Sequence, residues 1–404
     1  MQVTLDDITA ARRRIAGGVV ETPCPLSAPL SELCGAEIYC KLEHRQRTGS
    51  FKERGARNAL MLLPPERRAR GAISASAGNH ALGMARHGAS LGIPVTVVMP
   101  RFAPLIKVAN CRKMGANVVL HGDTLADARA HADALAERDG LAYIHGYDDA
   151  AIIAGQGTIG LEILEQVPDV DAIVASIGGG GMIAGVALAA KSLRPAVRVV
   201  GVEPEHAASY AAALAAGGPA DVEVGPTLAD GLAVARVGPR AFETARGLVD
   251  EAVTVDEAAL ATAVLRMIEL EKQVVEGGGA APLAAFLAGK LPGLAGKRVV
   301  LVLSGGNIDP NTLDRVIEVG LVQDARLCRF TAVITDRPGG LAGLAGLIAS
   351  AGASVKDIAH DRAFSGPDMS AVRVVCTVET ADRDHRDALL AALKRSGVQV
   401  LSGP

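Results

Sequence analysis

Short apolar runs alternate with alanine-rich polar stretches along the first three quarters of the chain. The apolar runs are rich in β-branched residues, as is typical of buried parallel strands; they lie at residues 95–100, 117–120, 172–177, 197–203 and 298–303. Stretches with helical periodicity, such as Leu125–Arg138 and Met182–Ser192, lie between them. Strands that alternate with helices predict an α/β fold built on doubly wound parallel sheets. Ligands of such folds bind where loops leave the carboxyl ends of the strands, and the glycine-rich segments lie there.

The pattern changes near residues 314–327. The rest of the chain reads as strand–helix–strand twice in succession, which is typical of a ferredoxin-like unit of the split β-α-β type. We therefore predict an α/β domain at residues 1–316, a linker at 317–327 and a separate small domain at 328–404.

Composition narrows the class of protein. The net charge is −3, tryptophan is absent and aromatic residues make up 2% of the 404 residues, so neither a basic footprint nor a base-stacking surface for nucleic acid is present. No apolar run approaches the roughly 20 residues of a membrane span, and the N-terminus lacks the order of a signal peptide. The six cysteines form no CxxC pair, which is typical of reduced thiols. We expect a cytoplasmic enzyme with no membrane or nucleic-acid partner.

The segment TGSFKERGA contains a lysine of unusual placement. Ser50 and Glu53 match the S-x-x-E capping box, which predicts a helix that begins at Ser50. Lys52 then lies in the first turn, where the helix dipole disfavours a cation, so partial burial would lower its pKa. Most lysines are solvated surface groups, so the other loops must decide whether Lys52 is a nucleophile.

Four successive glycines, Gly178–Gly181, follow a strand and open a helix at Met182. They allow a ligand to approach backbone N–H groups at a helix N-terminus, so a phosphate is the expected occupant. A simple strand-to-helix turn would need fewer glycines. A second alternative is a dinucleotide site, because the glycines and Ala184 also satisfy G-x-G-x-x-A and Glu203 ends the next strand.

Two further loops carry polar groups. In SASAGNHALG, the backbone from Ser76 to His80 suits a carboxylate, and Asn79 offers both a donor and an acceptor. In VLSGGNID, Ser304 stands at the exit of a strand. Without a ligand, the first loop would be an ordinary helix N-cap, and the second would be an ordinary Ser-Gly-Gly turn.

A single chemistry uses all four loops. A hydride-transfer enzyme would use only the glycines, whereas a phosphorylated aldehyde cofactor needs a lysine, a phosphate loop, a carboxylate loop for an amino acid and a hydroxyl for a ring nitrogen. HExxH, GxSxG and Walker motifs are absent from the sequence.

Six segments in order, TGSFKERGA, SAGNHALG, GGGGMIAG, GVEPE, PTLADGLAV and LSGGNID, resemble the fold type II pyridoxal-phosphate enzymes over about residues 5–320. The similarity is greatest to the threonine dehydratases, with serine dehydratases and serine racemases as relatives. The resemblance implies a tryptophan synthase β-like fold with parallel sheets in two subdomains. The tail, with TDRPGGLAGL, resembles an ACT regulatory domain.

The resemblance also implies the roles of individual residues. Lys52 would form the Schiff base with pyridoxal 5'-phosphate and would be the catalytic residue. The implied cofactor-binding residues are Phe51, Lys52, Asn79, Gly178, Gly179, Gly180, Gly181, Met182 and Ser304, and the implied substrate-binding residues are Ser76, Gly78, Asn79 and His80.

The implied reaction is the elimination of water from L-threonine, and from L-serine as a second substrate, to give 2-oxobutanoate or pyruvate and ammonia. A serine or 3-hydroxyaspartate dehydratase is an alternative in the same fold, with His80 and Arg54 as candidate cations for the extra carboxylate. A Rossmann oxidoreductase that binds NAD and a catalytically silent amino-acid sensor are alternatives from other classes.

Two departures from the relatives narrow these expectations. Racemases carry a serine at the position of Ala77, so racemisation is not expected. Metal-binding relatives hold a divalent ion with a glutamate, a backbone carbonyl and an aspartate. Glu203 and the carbonyl of Ala207 match, but Ser209 replaces the aspartate, so we expect no divalent metal site.

The tail carries the last expectation. In DRPGGL, Pro338 opens a helix, and a loop at a helix N-terminus suits the carboxylate of an amino-acid effector. We assign Asp336, Gly339, Gly340 and Leu341 to this allosteric site, with isoleucine or valine as effector. ACT domains pair, so the resemblance implies a homodimer or homotetramer.

Overall fold

The computed structural model describes residues 2–361 and 371–402. Residue 1, residues 362–370 and residues 403–404 belong to the two predicted domains but lie outside the described residues. The chain divides into two compact units, Met1–Asp309 and Pro310–Pro404.

The helices are α1 Leu5–Ile15, α2 Ala28–Cys34, α3 Lys52–Leu62, α4 Pro65–Arg70, α5 Asn79–Leu91, α6 Leu105–Lys113, α7 Leu125–Asp139, α8 Ala150–Gln166, α9 Gly181–Leu193, α10 Ser209–Ala216, α11 Pro239–Ala245, α12 Glu257–Glu271, α13 Gly277–Leu287, α14 Pro310–Gln323, α15 Gly340–Ser350 and α16 Arg383–Arg395. The strands are β1 Glu37–Lys41, β2 Ala72–Ala75, β3 Val95–Met99, β4 Asn117–Leu120, β5 Ala142–Tyr143, β6 Ala172–Ser176, β7 Arg198–Pro204, β8 Glu251–Val255, β9 Arg298–Val302, β10 Leu327–Thr335, β11 Ser354–Asp361, β12 Ala371–Glu379 and β13 Gln399–Ser402.

Two parallel sheets form the first unit. The larger sheet has the order β1-β9-β6-β7-β8, and the smaller has the order β4-β3-β2-β5. All five predicted strands are present, and the predicted doubly wound α/β class is confirmed. Four strands that the apolar pattern did not indicate complete the sheets, namely β1, β2, β5 and β8.

Helices α8 and α9 pack together in the larger core. Both are buried along most of their length, because isoleucine, leucine, valine and alanine fill nearly all of their surface. Gly157 and Gly185 bring the two backbones close, since a Cβ on Gly185 would lie 2.6 Å from the backbone nitrogen of Gly157. This rigid pair supports the segment that leads into α9, where the glycine run lies.

The second unit has the predicted strand and helix order. Its antiparallel sheet has the order β11-β12-β10-β13, and α15 and α16 supply Leu344, Ile348, Leu389 and Leu393 to the core. The ferredoxin-like arrangement fits an ACT domain. Helix α14 occupies most of the predicted linker, and the second compact unit begins with it at Pro310. The boundaries 1–316, 317–327 and 328–404 stay a prediction. Among the described residues, no helix is long and apolar enough to cross a membrane.

Candidate active site

A cavity of about 540 Å³ lies in the first unit, where loops from both parallel sheets meet. Every catalytic, cofactor-binding and substrate-binding residue predicted for the first unit lines it: Phe51, Lys52, Ser76, Gly78, Asn79, His80, Gly178, Gly179, Gly180, Gly181, Met182 and Ser304. Four segments that are far apart in sequence therefore contribute to one site.

Lys52 opens helix α3, but the predicted capping box is wrong. The helix begins at Lys52, and no side chain caps it. The carboxylate of Glu53 instead accepts hydrogen bonds from the backbone N–H of Thr48 and from His87 Nε2, the latter at 3.1 Å. The chain before the helix is held differently, because the N–H of Phe51 donates to the carbonyl of Ser304 at 3.0 Å. Pairing with a distant loop, rather than a local cap, positions the lysine.

The Lys52 amine has the properties of a nucleophile. Burial lowers its pKa to about 8, although the negative charge of Glu276 acts in the opposite direction. The side chain keeps partial exposure and lines the cavity, where Nζ donates to the carbonyl of Gly146 at 2.7 Å and lies 5.1 Å from the centre of the Phe51 ring. A lysine with a pKa near neutrality carries a substantial fraction of reactive, uncharged amine.

The glycine run presents the N-terminus of α9 to the cavity. Gly180 has φ 89°, a left-handed conformation that favours glycine, and no side chain caps the helix. A Cβ on Gly179 would overlap the ring of Tyr147, and one on Gly181 would lie 2.5 Å from the Tyr147 carbonyl. The first-turn N–H groups therefore face the cavity without a competing side-chain acceptor, as an anion site requires.

The dinucleotide alternative requires a free acidic group at the end of the next strand. Glu203 is fully buried there, and its carboxylate accepts the N–H groups of Tyr210 at 2.7 Å and Ala211 at 2.9 Å. Burial raises its pKa to about 7. Glu203 does not line the cavity, so it is placed to cap α10 and not to bind a ribose.

The carboxylate loop is held by a chain of amide hydrogen bonds. Asn79 Nδ2 donates to Glu276 Oε1 at 2.7 Å, and Asn79 Oδ1 accepts from Asn307 Nδ2 at 2.8 Å. Helix α5 begins at Asn79 without a side-chain cap, and the N–H of Gly78 donates to Ser76 Oγ at 3.3 Å. The loop is thus fixed in position while its helix N-terminus lines the cavity.

Neither predicted cation is available for a second substrate carboxylate. Burial, with the nearby charge of Lys52, lowers the pKa of His80 to about 3, so the ring is neutral. Arg54 is fully buried outside the cavity and binds the carboxylates of Glu43 and Glu162. Neither candidate is therefore placed to bind a second carboxylate, because burial keeps the His80 ring neutral and internal ion pairs occupy Arg54.

Many cavity residues were not assigned a role from the sequence. Those closest to the predicted loops include Tyr147, Ser176, Glu276 and Asn307. Glu276 precedes helix α13, and burial together with the charge of Asp230 raises its pKa to about 7, against the opposing effect of the Asn79 hydrogen bond. Ser176 Oγ lies 3.4 Å from Ser304 Oγ. The three glycines at 277–279 after Glu276 are a local sign of a further loop, but they do not indicate a role for the glutamate.

A second cavity of about 300 Å³ lies in the C-terminal unit. Asp336, Gly339 and Leu341 line it, together with residues of β10, α15 and His360. Gly340 does not, because it opens α15 against the strand before it, where a Cβ would overlap the Thr335 carbonyl.

The chain is similar to known proteins over nearly its whole length. The family model described as "Pyridoxal-phosphate dependent enzyme" matches residues 15–305. An L-threonine ammonia-lyase of Thermotoga maritima is 44% identical over 398 residues, which is 98% of this chain and 99% of the relative. The catabolic L-threonine dehydratase TdcB of Escherichia coli is 44% identical over 80% of this chain and 98% of its own length.

Solved structures give the same grouping. The processed form of threonine deaminase isoform 2 from Solanum lycopersicum matches with a TM-score of 0.74 and 38% identity, covering 78% of this chain and 92% of its own. A maize serine racemase matches with a TM-score of 0.75 and 35% identity, covering 80% of this chain and 99% of its own.

Proposed function

This chain belongs to the family of pyridoxal-phosphate dependent enzymes, and we propose that its reaction is that of a threonine ammonia-lyase. L-Threonine loses water and then ammonia to give 2-oxobutanoate, and L-serine, as a second substrate, gives pyruvate. Two relatives that cover 98% and 97% of this chain are named for this activity. The observation that carries the assignment is the single cavity in which Lys52, an uncapped glycine-lined helix and the Asn79 loop meet.

The residues of the cavity fit pyridoxal phosphate. Lys52, whose pKa is lowered to about 8 by burial, would hold the aldehyde covalently. The N–H groups at Gly178–Met182 would bind the phosphate, because the turn leaves no room for side chains at Gly179 and Gly181 and α9 has no cap. Asn79 would bind the ring hydroxyl, Ser304 would bind the ring nitrogen, and Phe51 would pack on the ring. These are assignments of role that site-directed variants can test one at a time.

The protein's own groups then perform the elimination. Bound pyridoxal phosphate withdraws electrons from the α-carbon of the substrate and makes its proton acidic. Once the amino group of the substrate has replaced Lys52 on the cofactor aldehyde, the freed Lys52 amine would accept that proton at Nζ. The turn from Ser76 to His80 would bind the substrate carboxylate at the N-terminus of α5. The β-hydroxyl leaves as water, and the released enamine tautomerises and takes up water to yield the keto acid and ammonia. Ser304 is a neutral group, which suits an elimination because the electrons depart with the β-substituent.

Because serine racemases are among the relatives, racemisation is a second candidate reaction, and Ala77 disfavours it. Racemisation needs a proton donor on the face of the substrate opposite Lys52. Ala77 lines the cavity and has no group that can carry a proton, so we propose that the enzyme eliminates and does not racemise.

The test is the production of keto acid from L-threonine by the purified enzyme loaded with pyridoxal phosphate. Lys52→Ala should abolish turnover, whereas Lys290→Ala, which removes an exposed lysine, should retain it. No keto acid from threonine, serine or 3-hydroxyaspartate would reject the proposed activity. A preference for 3-hydroxyaspartate would reject the substrate assignment alone.

We propose further that the C-terminal unit is an ACT regulatory domain at residues 328–404, joined by 317–327 to a catalytic domain at 1–316. The effector is isoleucine or valine, and the cavity that Asp336, Gly339 and Leu341 line supports this role. Such feedback would suit an enzyme of isoleucine biosynthesis. The active form is a homodimer or homotetramer, and the free cysteines support a cytoplasmic location.

Regulation has a direct test. Isoleucine or valine should shift the threonine saturation curve, by roughly fivefold or more in apparent affinity if the coupling has the usual size. Removing residues 326–404 should leave an active enzyme that responds to neither amino acid. An unchanged threonine curve at millimolar effector would contradict the regulatory proposal and leave the catalytic one standing.

A further inference from the structure

An ion pair joins residues from the two sheet regions that border the active-site cavity. Lys107 lies on α6, next to the smaller sheet, and Asp230 begins the short 3-10 helix Asp230–Leu232, which packs against the glycine run. Their Nζ and Oδ2 atoms are 2.9 Å apart, and both residues line the cavity. Asp230 is 63% exposed and Lys107 only 23%, so the ammonium of Lys107 is the more enclosed of the two charges.

Electrostatic coupling shows that the pair acts on the interior of the site. After burial, the negative charge of Asp230 is the next largest influence that raises the pKa of Glu276, and the positive charge of Lys107 acts in the opposite direction. Glu276 in turn influences Lys52. A change in charge at the pair therefore alters the electrostatic environment of Glu276, which in turn acts on Lys52.

The remaining cationic side chains of the cavity are occupied or neutral. Arg129 Nε donates to both carboxylate oxygens of Asp133, at 2.9 and 2.8 Å, and its guanidinium lies 3.8 Å from the centre of the Tyr143 ring. His80 is neutral, and burial also lowers the pKa of His145, whose Nδ1 accepts backbone N–H groups. Apart from Lys52, the charged cations among the described cavity residues are thus Arg129 and Lys107. Of these two, Lys107 is the one whose carboxylate partner also lines the cavity.

We propose that Asp230 determines substrate specificity by neutralising Lys107, so that the site accepts β-hydroxy amino acids with an uncharged side chain and rejects those with a second carboxylate. The inference rests on the proposed function and adds the reason for choosing threonine over 3-hydroxyaspartate. With Asp230 present, a side-chain carboxylate meets a cation that is already paired and a negative charge beside it. Without Asp230, Lys107 is free to bind that carboxylate.

The variant that tests this is Asp230→Asn, which keeps the shape of the side chain and removes its charge. The ratio of kcat/KM for L-threonine to kcat/KM for 3-hydroxyaspartate should fall by about two- to fivefold, the effect expected of one ion pair at a partly exposed position. The fall should diminish in high salt because the pair is reached by solvent. Lys107→Met should change the ratio in the opposite direction, because it leaves Asp230 unpaired.

Binding provides a readout that does not depend on turnover. L-Aspartate has the second carboxylate but no β-hydroxyl to eliminate, so its affinity for the holoenzyme can be measured by calorimetry. It should bind more tightly to Asp230→Asn than to the wild type and more weakly to Lys107→Met. Asp221→Asn is the matched control, since Asp221 pairs with Arg236 at 3.0 Å on the surface and does not line the cavity.

The outcomes separate the two proposals. If wild-type enzyme converts threonine but the substrate ratio and the aspartate affinity are the same in wild type and Asp230→Asn, the specificity inference is wrong and the proposed function stands. An equal change in Asp221→Asn would also overturn it, because the effect would then not be local. If wild-type enzyme prefers 3-hydroxyaspartate, the choice of threonine fails before any variant is made.

Discussion

The replacement of Arg54 by methionine should destabilise the catalytic unit through two buried carboxylates. Arg54 is fully buried two residues after Lys52, and its guanidinium binds Glu43 at 2.8 Å and Glu162 at 2.5 Å. Lys41, also fully buried, binds Glu162 at 2.6 Å. Two cations and two carboxylates thus form a neutral cluster that connects β1, α3 and α8.

Removing one cation leaves a carboxylate without compensation, which costs about 3–5 kcal/mol when the group is buried. The matched control is Arg12→Met, which breaks the half-exposed pair of Arg12 with Glu165. An exposed pair contributes about 0–1 kcal/mol, so the control should lose little stability. Urea unfolding of both variants, followed by circular dichroism, measures the difference.

The loss should depend on pH in a defined direction. Burial opposes ionisation of Glu43, but the charge and hydrogen bonds of Arg54 outweigh it, and the pKa of Glu43 lies below its usual value. In the wild type this depressed pKa adds stability above the unfolded pKa, and that stability is lost as the pH falls through the folded pKa. In Arg54→Met burial would dominate, the folded pKa would rise, and protonation would relieve the penalty. The difference between variant and wild type should therefore be large near pH 8 and smaller near pH 5. A loss that does not change with pH, or that equals the loss in Arg12→Met, would refute this reasoning.

Two more predictions concern the cavity. Incorporation of pyridoxal phosphate into apoenzyme should accelerate as the pH rises through about 8, because the neutral amine of Lys52 reacts. Glu276→Gln should move the midpoint of this rate profile to lower pH, since the negative charge of Glu276 raises the pKa of Lys52. An unmoved midpoint would contradict the coupling of the two residues. Gly179→Ala should weaken cofactor binding, measured by equilibrium titration, by roughly tenfold or more, because its Cβ would overlap the ring of Tyr147. The control is Gly218→Ala, whose Cβ would meet no atom within 4 Å. Equal cofactor affinities of the two variants would refute the steric argument.

The regular parts of the fold were predictable because their information is local. Runs such as 95–100 and 298–303 are almost entirely apolar, with Thr96 and Arg298 as their polar members, as is typical of strands buried on both faces. Both are central or near-central in their sheets. Strand β1, EIYCK, was missed because it ends in charged residues. Its Lys41 is buried only because Glu162, 121 positions away, neutralises it. A pairing of that kind has no trace in the local pattern.

The site shows the same limit in another form. The Gly178–Gly181 run and Lys52 carried enough local chemistry to be recognised, and the cavity contains both. The capping box failed because Glu53 turns to His87 instead of to its own helix. Glu276 was missed because a lone glutamate becomes informative only when Asn79 lies 2.7 Å away. Side chains whose role depends on a distant partner could not be assigned from sequence.

The measurement that tests the central claim most directly is the identity of the lysine that holds the cofactor. Holoenzyme is reduced with borohydride and digested, and the pyridoxyl-labelled peptide is identified by mass spectrometry. We predict one label, on Lys52, and no label in Lys52→Ala, while Lys290→Ala is labelled as the wild type is. A label on another lysine such as Lys107, or no label on an enzyme that converts threonine, would contradict the account.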